Sequence, residues 1–366
     1  MKSKEIYFEN LAKSNLFFDK ELKKNFSGFL KKGKFILADN VISFEKKFAK
    51  FIGTKFCVGV GNGLDALTIA FKALEIQKGS EVIVASNAYI ACVIAIKNSN
   101  LIPVLIEPDI KTYNLDVKKI ENQITKKTKA ILAVHLYGKP CDMISLKKIC
   151  KKYQLFLIED CAQSHGASIK GQTTGSFGDM GCFSFYPTKN LGGFGDGGAI
   201  TCNNQLLSKK LKKIRNYGSI KKYQNDILGV NSRLDEIQAM FLNIKLKYLN
   251  KINNHKIKLA SLYNKFLIND FIKPIKQKNI KDVFHIYNIR HNKRDKLKKY
   301  LQKHNIQTDI HYRTPPHRQK CFKNKFKKQY PISDKIHDTT LSLPISFSHS
   351  KNDILRVIKR LNKFKL

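Results

Sequence analysis

Apolar and polar positions along the first two-thirds of the chain follow two alternating periods. Seven short runs of aliphatic and β-branched residues, at 56–60, 81–85, 102–106, 130–135, 155–159, 181–185 and 198–202, are bounded by glycine, asparagine or charged residues, as buried strands are. Between the first five lie amphipathic stretches such as 65–74 and 145–153, with apolar residues every three or four positions. Strand–helix alternation of this kind predicts an α/β fold: a mainly parallel seven-stranded sheet with helices on both faces. The last two runs follow one another across a loop, so strict alternation is expected to break there.

Ser232-Arg-Leu-Asp235 has the form of a helix start, and Leu234, Ile237, Phe241 and Ile244 continue an apolar stripe. This predicts a long helix over 232–250. Beyond it the chain becomes richer in lysine, with a strand expected at 284–290 and a terminal helix at 352–365. The expected organisation is a large domain over 1–250, including an N-terminal helical segment, and a smaller α+β domain over 251–366.

Charge changes this picture less than its size suggests. Lys+Arg number 68 against 28 Asp+Glu, a net charge of +40. Only eight of the basic residues are Arg, none before Arg215, and Lys is spread over the whole chain beside abundant Ile and Asn. Nucleic-acid readers concentrate Arg and aromatics in a patch, so nucleic acid is not an expected partner, while attraction for small anions remains. Eight cysteines form no C-x-x-C pair and no metal-ligand spacing, so no metal is expected and the compartment reads as reducing. No apolar run is long enough to span a bilayer, and the first twenty residues have no signal-peptide character, which points to a cytoplasmic protein without a membrane partner.

Three stretches carry candidate chemistry. Cys57-Val-Gly-Val-Gly-Asn-Gly-Leu-Asp-Ala66 is a strand, a glycine turn and a helix start, an arrangement that presents backbone N–H groups to a phosphate. The second strand ends without the acid that a dinucleotide ribose needs, so phosphate binding is favoured over a dinucleotide. Ile158-Glu-Asp-Cys-Ala-Gln-Ser-His165 lies at the carboxyl end of a strand, where open α/β sheets bind ligands. Asp160 and Gln163, three residues apart, can be turned into one pocket; His165 taken alone reads more simply as a structural histidine. In Cys182-Phe-Ser-Phe-Tyr-Pro-Thr-Lys189-Asn-Leu-Gly-Gly-Phe-Gly-Asp-Gly-Gly198, one lysine stands among apolar and small residues. A desolvated lysine is a usable amine nucleophile.

Ser184–Gly198, with 159–167 and 231–239, resembles the DegT/DnrJ/EryC1/StrS family, pyridoxal-phosphate-dependent sugar aminotransferases of fold type I. The resemblance implies that Lys189 carries the cofactor covalently and acts as acid and base, that Asp160 pairs with the pyridine nitrogen, and that His165 belongs to the catalytic group. Gln163 then lies near the cofactor's 3-hydroxyl and Tyr89 stacks on its ring. Gly63, Leu64 and Ser184 form the phosphate cup. Asn231 matches an asparagine that reaches the neighbouring subunit's cofactor phosphate, which implies a homodimer with shared active sites. The chain departs from the family at Ala85 and Arg313, where relatives often have Pro, and at Asn62-Gly63-Leu64, where they have Ser/Thr-rich turns.

Within the family, Gly63–Leu67, 215–223 and 311–317 are similar to the subgroup acting on C-3 of a dTDP-linked 3-keto-6-deoxyhexose. That resemblance implies ping-pong transfer from L-glutamate, with the pyridoxamine phosphate form as the half-reaction state, toward a surface glycan such as O-antigen, lipooligosaccharide or S-layer. Lys221, Tyr223 and Arg233 are expected at the diphosphate, and Tyr186, His311 and Tyr312 at the substrate. The alternatives are a C-4 aminotransferase of a nucleotide-linked 4-keto-6-deoxyhexose, a dehydratase of the same fold, against which Lys189 speaks, and a basic binding protein on a retired scaffold.

Overall fold

All seven apolar runs enter one sheet, and their order in it explains why the chemistry collects at one edge. The computed structural model describes residues 4–219, 221, 223–322, 325–326 and 328–364. Its strands are β1 (Phe56–Val60), β2 (Glu81–Ala85), β3 (Ile102–Ile106), β4 (Thr128–Val134), β5 (Phe156–Asp160), β6 (Ser168–Ile169), β7 (Gln172–Thr173), β8 (Met180–Ser184), β9 (Gly198–Cys202), β10 (Ile280–Lys281), β11 (Tyr287–Arg290) and β12 (Thr340–Leu343). The main sheet has the order β1-β9-β8-β5-β4-β2-β3. β3, β2, β4, β5 and β8 run parallel. β9 runs antiparallel to both β8 and β1, which is the expected break: β8 and β9 are joined by the Lys189 loop without a crossover helix.

Successive side chains on a strand face opposite sides, and both sides are packed. Val82, Val84, Leu132 and Ile158 share one apolar cluster with the helices Gly63–Ala73 and Ile90–Asn98. Ile83, Ala85, Ile131, Ala133 and Leu157 face the other way, onto the helix Met143–Tyr153. A doubly covered parallel sheet of this kind has near-continuous apolar strands. In the C-terminal part, β11 and β12 pair antiparallel, and Leu297, Leu301, Leu341, Leu343, Ile354 and Val357 form a second cluster that also takes in Ile6. Among the described residues no helix is long and apolar enough to cross a membrane.

Three sequence expectations shift. The helix expected over 232–250 is two, Glu236–Leu246 and Leu249–Phe266. Ser232 caps neither: its hydroxyl donates to Asp65 Oδ2 (2.7 Å) and accepts from the Gly61 N–H (2.9 Å). Glu236 serves another helix, its carboxylate accepting the N–H groups of Ala38 (2.7 Å), Asn40 (2.9 Å) and Val41 (2.9 Å). Helix Asp39–Ile52 has no side-chain cap of its own, so this distant acid satisfies its orphan donors and its dipole. The strand expected at 284–290 begins only at Tyr287, because Phe284 has φ of 46°, outside extended geometry. The terminal helix is Lys351–Leu361, closed at its start by a Ser350/Asp353 capping box; Lys365 lies outside the described residues, as does Lys222.

Candidate active site

The carboxyl ends of β5 and β8 are adjacent, with Asp160 in register with Cys182. Asp160 therefore stands beside the segment that leads through Ser184 to Lys189. Its carboxylate is buried and accepts the Cys92 Sγ–H (3.0 Å) and the Ala162 N–H (3.0 Å). Among the described residues no cation is paired with it. A buried carboxylate without a cation is costly, so this group calls for a positive partner.

Lys189 is supplied by a tightly turned loop. Its N–H donates to Tyr186 O (2.8 Å), the Phe185 N–H to Gly197 O (2.7 Å) and the Gly193 N–H to Phe185 O (2.7 Å). At Gly192 a Cβ would lie 2.2 Å from Pro187 O, so only glycine permits this turn. Lys189 is partly buried. Loss of hydration lowers its ammonium to about 8, against the upward pull of Asp160 and Cys92. A lysine in that range offers a free amine at mildly alkaline pH.

At the edge of the sheet, helix Gly63–Ala73 starts behind Asn62, whose side chain accepts the Asp65 N–H (2.8 Å). The N–H groups of Gly63 and Leu64 have no partner among the described residues. A Cβ on Gly63 would come 2.6 Å from Ser184 Cβ, so the glycine keeps these amides and the Ser184 hydroxyl in one small space. An open helix start of this form suits a phosphate.

Tyr89 stands at the start of helix Ile90–Asn98. Its ring is partly exposed and lies 4.8 Å from that of Tyr312, tilted by 34°. A cavity of ≈ 200 Å³ is lined there by Tyr89, Tyr312, Arg313 and Thr314. Gln163 Nε2 donates to Tyr312 Oη (2.8 Å), and Gln163 Oε1 accepts the Tyr137 N–H (2.5 Å). Burial raises the Tyr312 phenol, so it stays a neutral hydroxyl. These links tie the sheet edge to the segment 311–319.

The other expected residues are placed less uniformly. His165 is fully buried between Phe183 (5.6 Å) and Phe185 (5.8 Å), and neither ring nitrogen is within hydrogen-bond geometry of a partner among the described residues. Burial, and then Lys189, lowers it to about 3. His311 pairs Nδ1 with Ser342 Oγ (2.9 Å) and stacks on Phe8, while its carbonyl accepts the Tyr137 hydroxyl. Burial lowers it to about 4, opposed by Asp309. Tyr186 is exposed. Arg233 donates to Asn216 Oδ1 (3.1 Å) and lies over the Tyr217 ring, not on Asp235. Lys221 and Tyr223 sit on an outer loop closed by the Asn216–Asn231 bridge, and Leu228 at its tip is 97% exposed. Asn231 is exposed as well.

His135, Glu159 and Cys161 gather their ligand atoms within 4.8 Å, yet these atoms already have partners. The Cys141 N–H donates to His135 Nδ1 (3.0 Å), leaving Nε2 to donate to Glu159 Oε2 (3.0 Å). Glu159 also accepts the N–H groups of Gly175, Phe177 and Gly178. The cluster is a brace beneath Asp160.

Sequence reasoning missed Cys92, although it falls one helical turn after Tyr89 and so on its face of the helix. It also missed Lys245 and Lys256, whose signal is a lysine on a core-facing stripe: Leu249, Ile252, Lys256, Leu259 and Tyr263 are all buried.

Residues 17–362 match the model of the DegT/DnrJ/EryC1/StrS aminotransferase family. The chain belongs to that family. It is 48% identical, over 98% of its length and 99% of the relative's, to a dTDP-3-amino-3,6-dideoxy-alpha-D-galactopyranose transaminase of Aneurinibacillus thermoaerophilus. It is 40% identical to a UDP-N-acetyl-3-dehydro-alpha-D-glucosamine 3-aminotransferase of Acidithiobacillus ferrooxidans, over 88% of each chain. Among solved structures, S. venezuelae DesV in complex with a ketimine intermediate superposes with a TM-score of 0.96 at 35% identity, covering 99% of this chain and 98% of that one. The expected family and α/β architecture hold, and the chain is a sugar aminotransferase.

Proposed function

We propose that the enzyme moves the amino group of L-glutamate to C-3 of a dTDP-linked 3-keto-6-deoxyhexose, giving 2-oxoglutarate and the 3-amino-3,6-dideoxy sugar nucleotide. The observation that carries this is the buried, cation-free Asp160 carboxylate beside the depressed Lys189 amine. Pyridoxal phosphate fits the residues present: a ring nitrogen for Asp160, a phosphate for the Gly63 and Leu64 amides and the Ser184 hydroxyl, a face for Tyr89. When bound, it supplies an electron sink for the carbon that loses or gains nitrogen.

The chain's own groups do the rest. Asp160 holds the ring nitrogen in its protonated form through a charge-assisted hydrogen bond. Lys189 Nζ, free of its proton near pH 8, takes the proton from Cα of the donor and later delivers one to C-3 of the sugar. Tyr89 and Tyr312 cover the pocket and exclude water. Gln163 fixes the Tyr312 hydroxyl, and His165, enclosed behind the lysine, shapes its surroundings.

C-3 is favoured because the names of both relatives place the nitrogen at position 3; they differ in nucleotide, and the more similar of the two names dTDP. The outer loop with Tyr223, Leu228 and Asn231, and the exposed Phe26, Leu30, Phe35, Ile36 and Ile42, support a homodimer in which Lys221, Tyr223, Arg233 and Asn231 serve the neighbour's site. Seven of the eight free cysteines are buried, which suits the cytoplasm. The amino sugar then feeds a surface glycan.

Borohydride reduction of the holoenzyme should tag Lys189, and Lys189→Ala should lose both visible absorbance and turnover. Retained steady-state turnover in that variant refutes the assignment. Offering dTDP-linked 3-keto and 4-keto sugars, with NMR of the product, decides the carbon: nitrogen at C-4 replaces this reading by the C-4 one.

A further inference from the structure

Two helices that contribute nothing to the cofactor cradle each send a lysine into the interior behind it. Lys245 and Lys256 are buried to 7% and 3% exposure. Lys245 Nζ donates to Gly192 O (2.9 Å) and lies 5.2 Å from the Phe241 ring centroid. Lys256 Nζ donates to Asn190 Oδ1 (2.9 Å) and His285 O (3.0 Å). Asn190 in turn donates to Asn253 Oδ1 (2.9 Å) and Val283 O (3.1 Å). The residues immediately after Lys189 are thus fastened by two interior ammonium groups.

Both lysines line one cavity of ≈ 30 Å³ with Lys189, Glu9 and Ser14, and Ser14 Oγ there has no partner among the described residues. Among the described residues neither lysine has a carboxylate in ion-pair contact. Interior cations without a paired acid are costly, and apolar residues of similar volume would hold the helices at lower cost. Two such cations behind one loop point to a role beyond packing. Burial lowers both to about 8 while Glu9 pulls both up, and Lys189 further lowers Lys256. Coupling between two like charges is mutual, so charge on Lys256 acts equally against charge on Lys189. Lys189 also faces Asp160 of β5, Cys92 of helix Ile90–Asn98, His165 after β5, and His285 and His311 from the C-terminal part.

We propose that Lys245 and Lys256 are positioning residues for Lys189: they fix the backbone behind it and, balanced by Glu9 of the N-terminal segment, set the charge around its amine. The inference rests on the reading of Lys189 as the reactive amine.

The test is pH-resolved labelling of Lys189 in the full chain freed of cofactor, by a pulse of acetic anhydride read by peptide mass spectrometry. Lys256→Met removes the charge and keeps the length. Its Lys189 midpoint should rise by about one pH unit, so that labelling below the midpoint slows about tenfold. Lys256→Arg keeps the charge and should stay near wild type. Glu9→Gln removes the acid that pulls Lys245 and Lys256 up, so both lose their charge more readily and the Lys189 midpoint should also rise. An unmoved midpoint in both Lys256→Met and Glu9→Gln overturns the proposal, as does an equal rise in Lys256→Arg. Should Lys256→Met fail to fold, Glu9→Gln decides by the same criterion. Borohydride tagging of a residue other than Lys189 in the holoenzyme would instead overturn the proposed function, a separate readout from the midpoints.

Discussion

His165 supplies a test in which catalytic and structural roles give different numbers. The ring is wholly enclosed, and burial, and then Lys189, lowers it from 6.5 to about 3. A base with a lowered native value binds its proton first in the unfolded chain, so stability is lost as pH falls from 6.5 toward 3. The full gap corresponds to about 5 kcal/mol, and about 3 kcal/mol of it is already lost at pH 4. His165→Leu removes this proton site. Any change in packing against Phe183 and Phe185 acts alike at both pH values, so it cancels in the difference. Urea unfolding of the cofactor-free chain at pH 7 and pH 4 should therefore show wild type losing about 3 kcal/mol more than the variant. Turnover measured at pH 8 separates the roles. A variant that keeps most of its turnover and gains acid tolerance makes His165 an interior support. Equal acid losses in the two proteins would show that the ring is hydrated, and the account of its burial would be wrong.

The remaining predictions concern the cradle. Gly63→Ala places a Cβ 2.6 Å from Ser184 Cβ, so absorbance titration of the cofactor-free chain with pyridoxal phosphate should show at least about tenfold weaker binding; unchanged affinity would mean the phosphate sits elsewhere. Asp160→Asn keeps the shape and loses the charge that accepts from the ring nitrogen, a charged hydrogen bond of about 1.5–3 kcal/mol. Cofactor retention in dialysis should fall about 10- to 100-fold, and the Lys189 labelling midpoint should drop because the upward pull of Asp160 is gone. A rise in that midpoint would contradict the placement of the carboxylate.

What could be read from the chain is what lies close together in it. The seven strands were legible because each is a short aliphatic run ending in a turn, and Gly192 and Lys189 share one continuous motif. The start of helix Glu236–Leu246 was misread because Ser232 and Asp235 have capping chemistry, yet the hydroxyl of Ser232 is drawn to Asp65, 167 positions away. No local pattern encodes that competition. Glu236 shows the same limit: its carboxylate caps helix Asp39–Ile52, so an acid in the first turn of one helix answers the open donors of another. The pairing of Tyr89 with Tyr312 likewise joins residues whose separate contexts are only an exposed aromatic and a histidine–tyrosine step.

This division bears on how the site is built. The groups proposed to hold the cofactor come from the edge of the sheet and its first helix turns, where strand register places Asp160 near Ser184. The groups that decide how the lysine behaves arrive from elsewhere: Cys92 under the carboxylate, Lys256 and Lys245 behind the loop, Glu9 from the N-terminal segment, Tyr312 across the mouth. Cys92 and Tyr312 each touch a residue of the cradle, Asp160 and Gln163, while Lys245 and Lys256 hold Gly192 and Asn190 just after Lys189 and Glu9 acts through those two lysines. Changes among them can tune the amine or the opening without disturbing the sheet, since none lies on one of its strands. A chain of this family can therefore keep its local motif intact and still differ in its working pH and in the sugar it admits. For this chain, the Gln163–Tyr312 bond is where the two sets meet, because it links the strand edge proposed to hold the ring to the segment proposed to face the sugar.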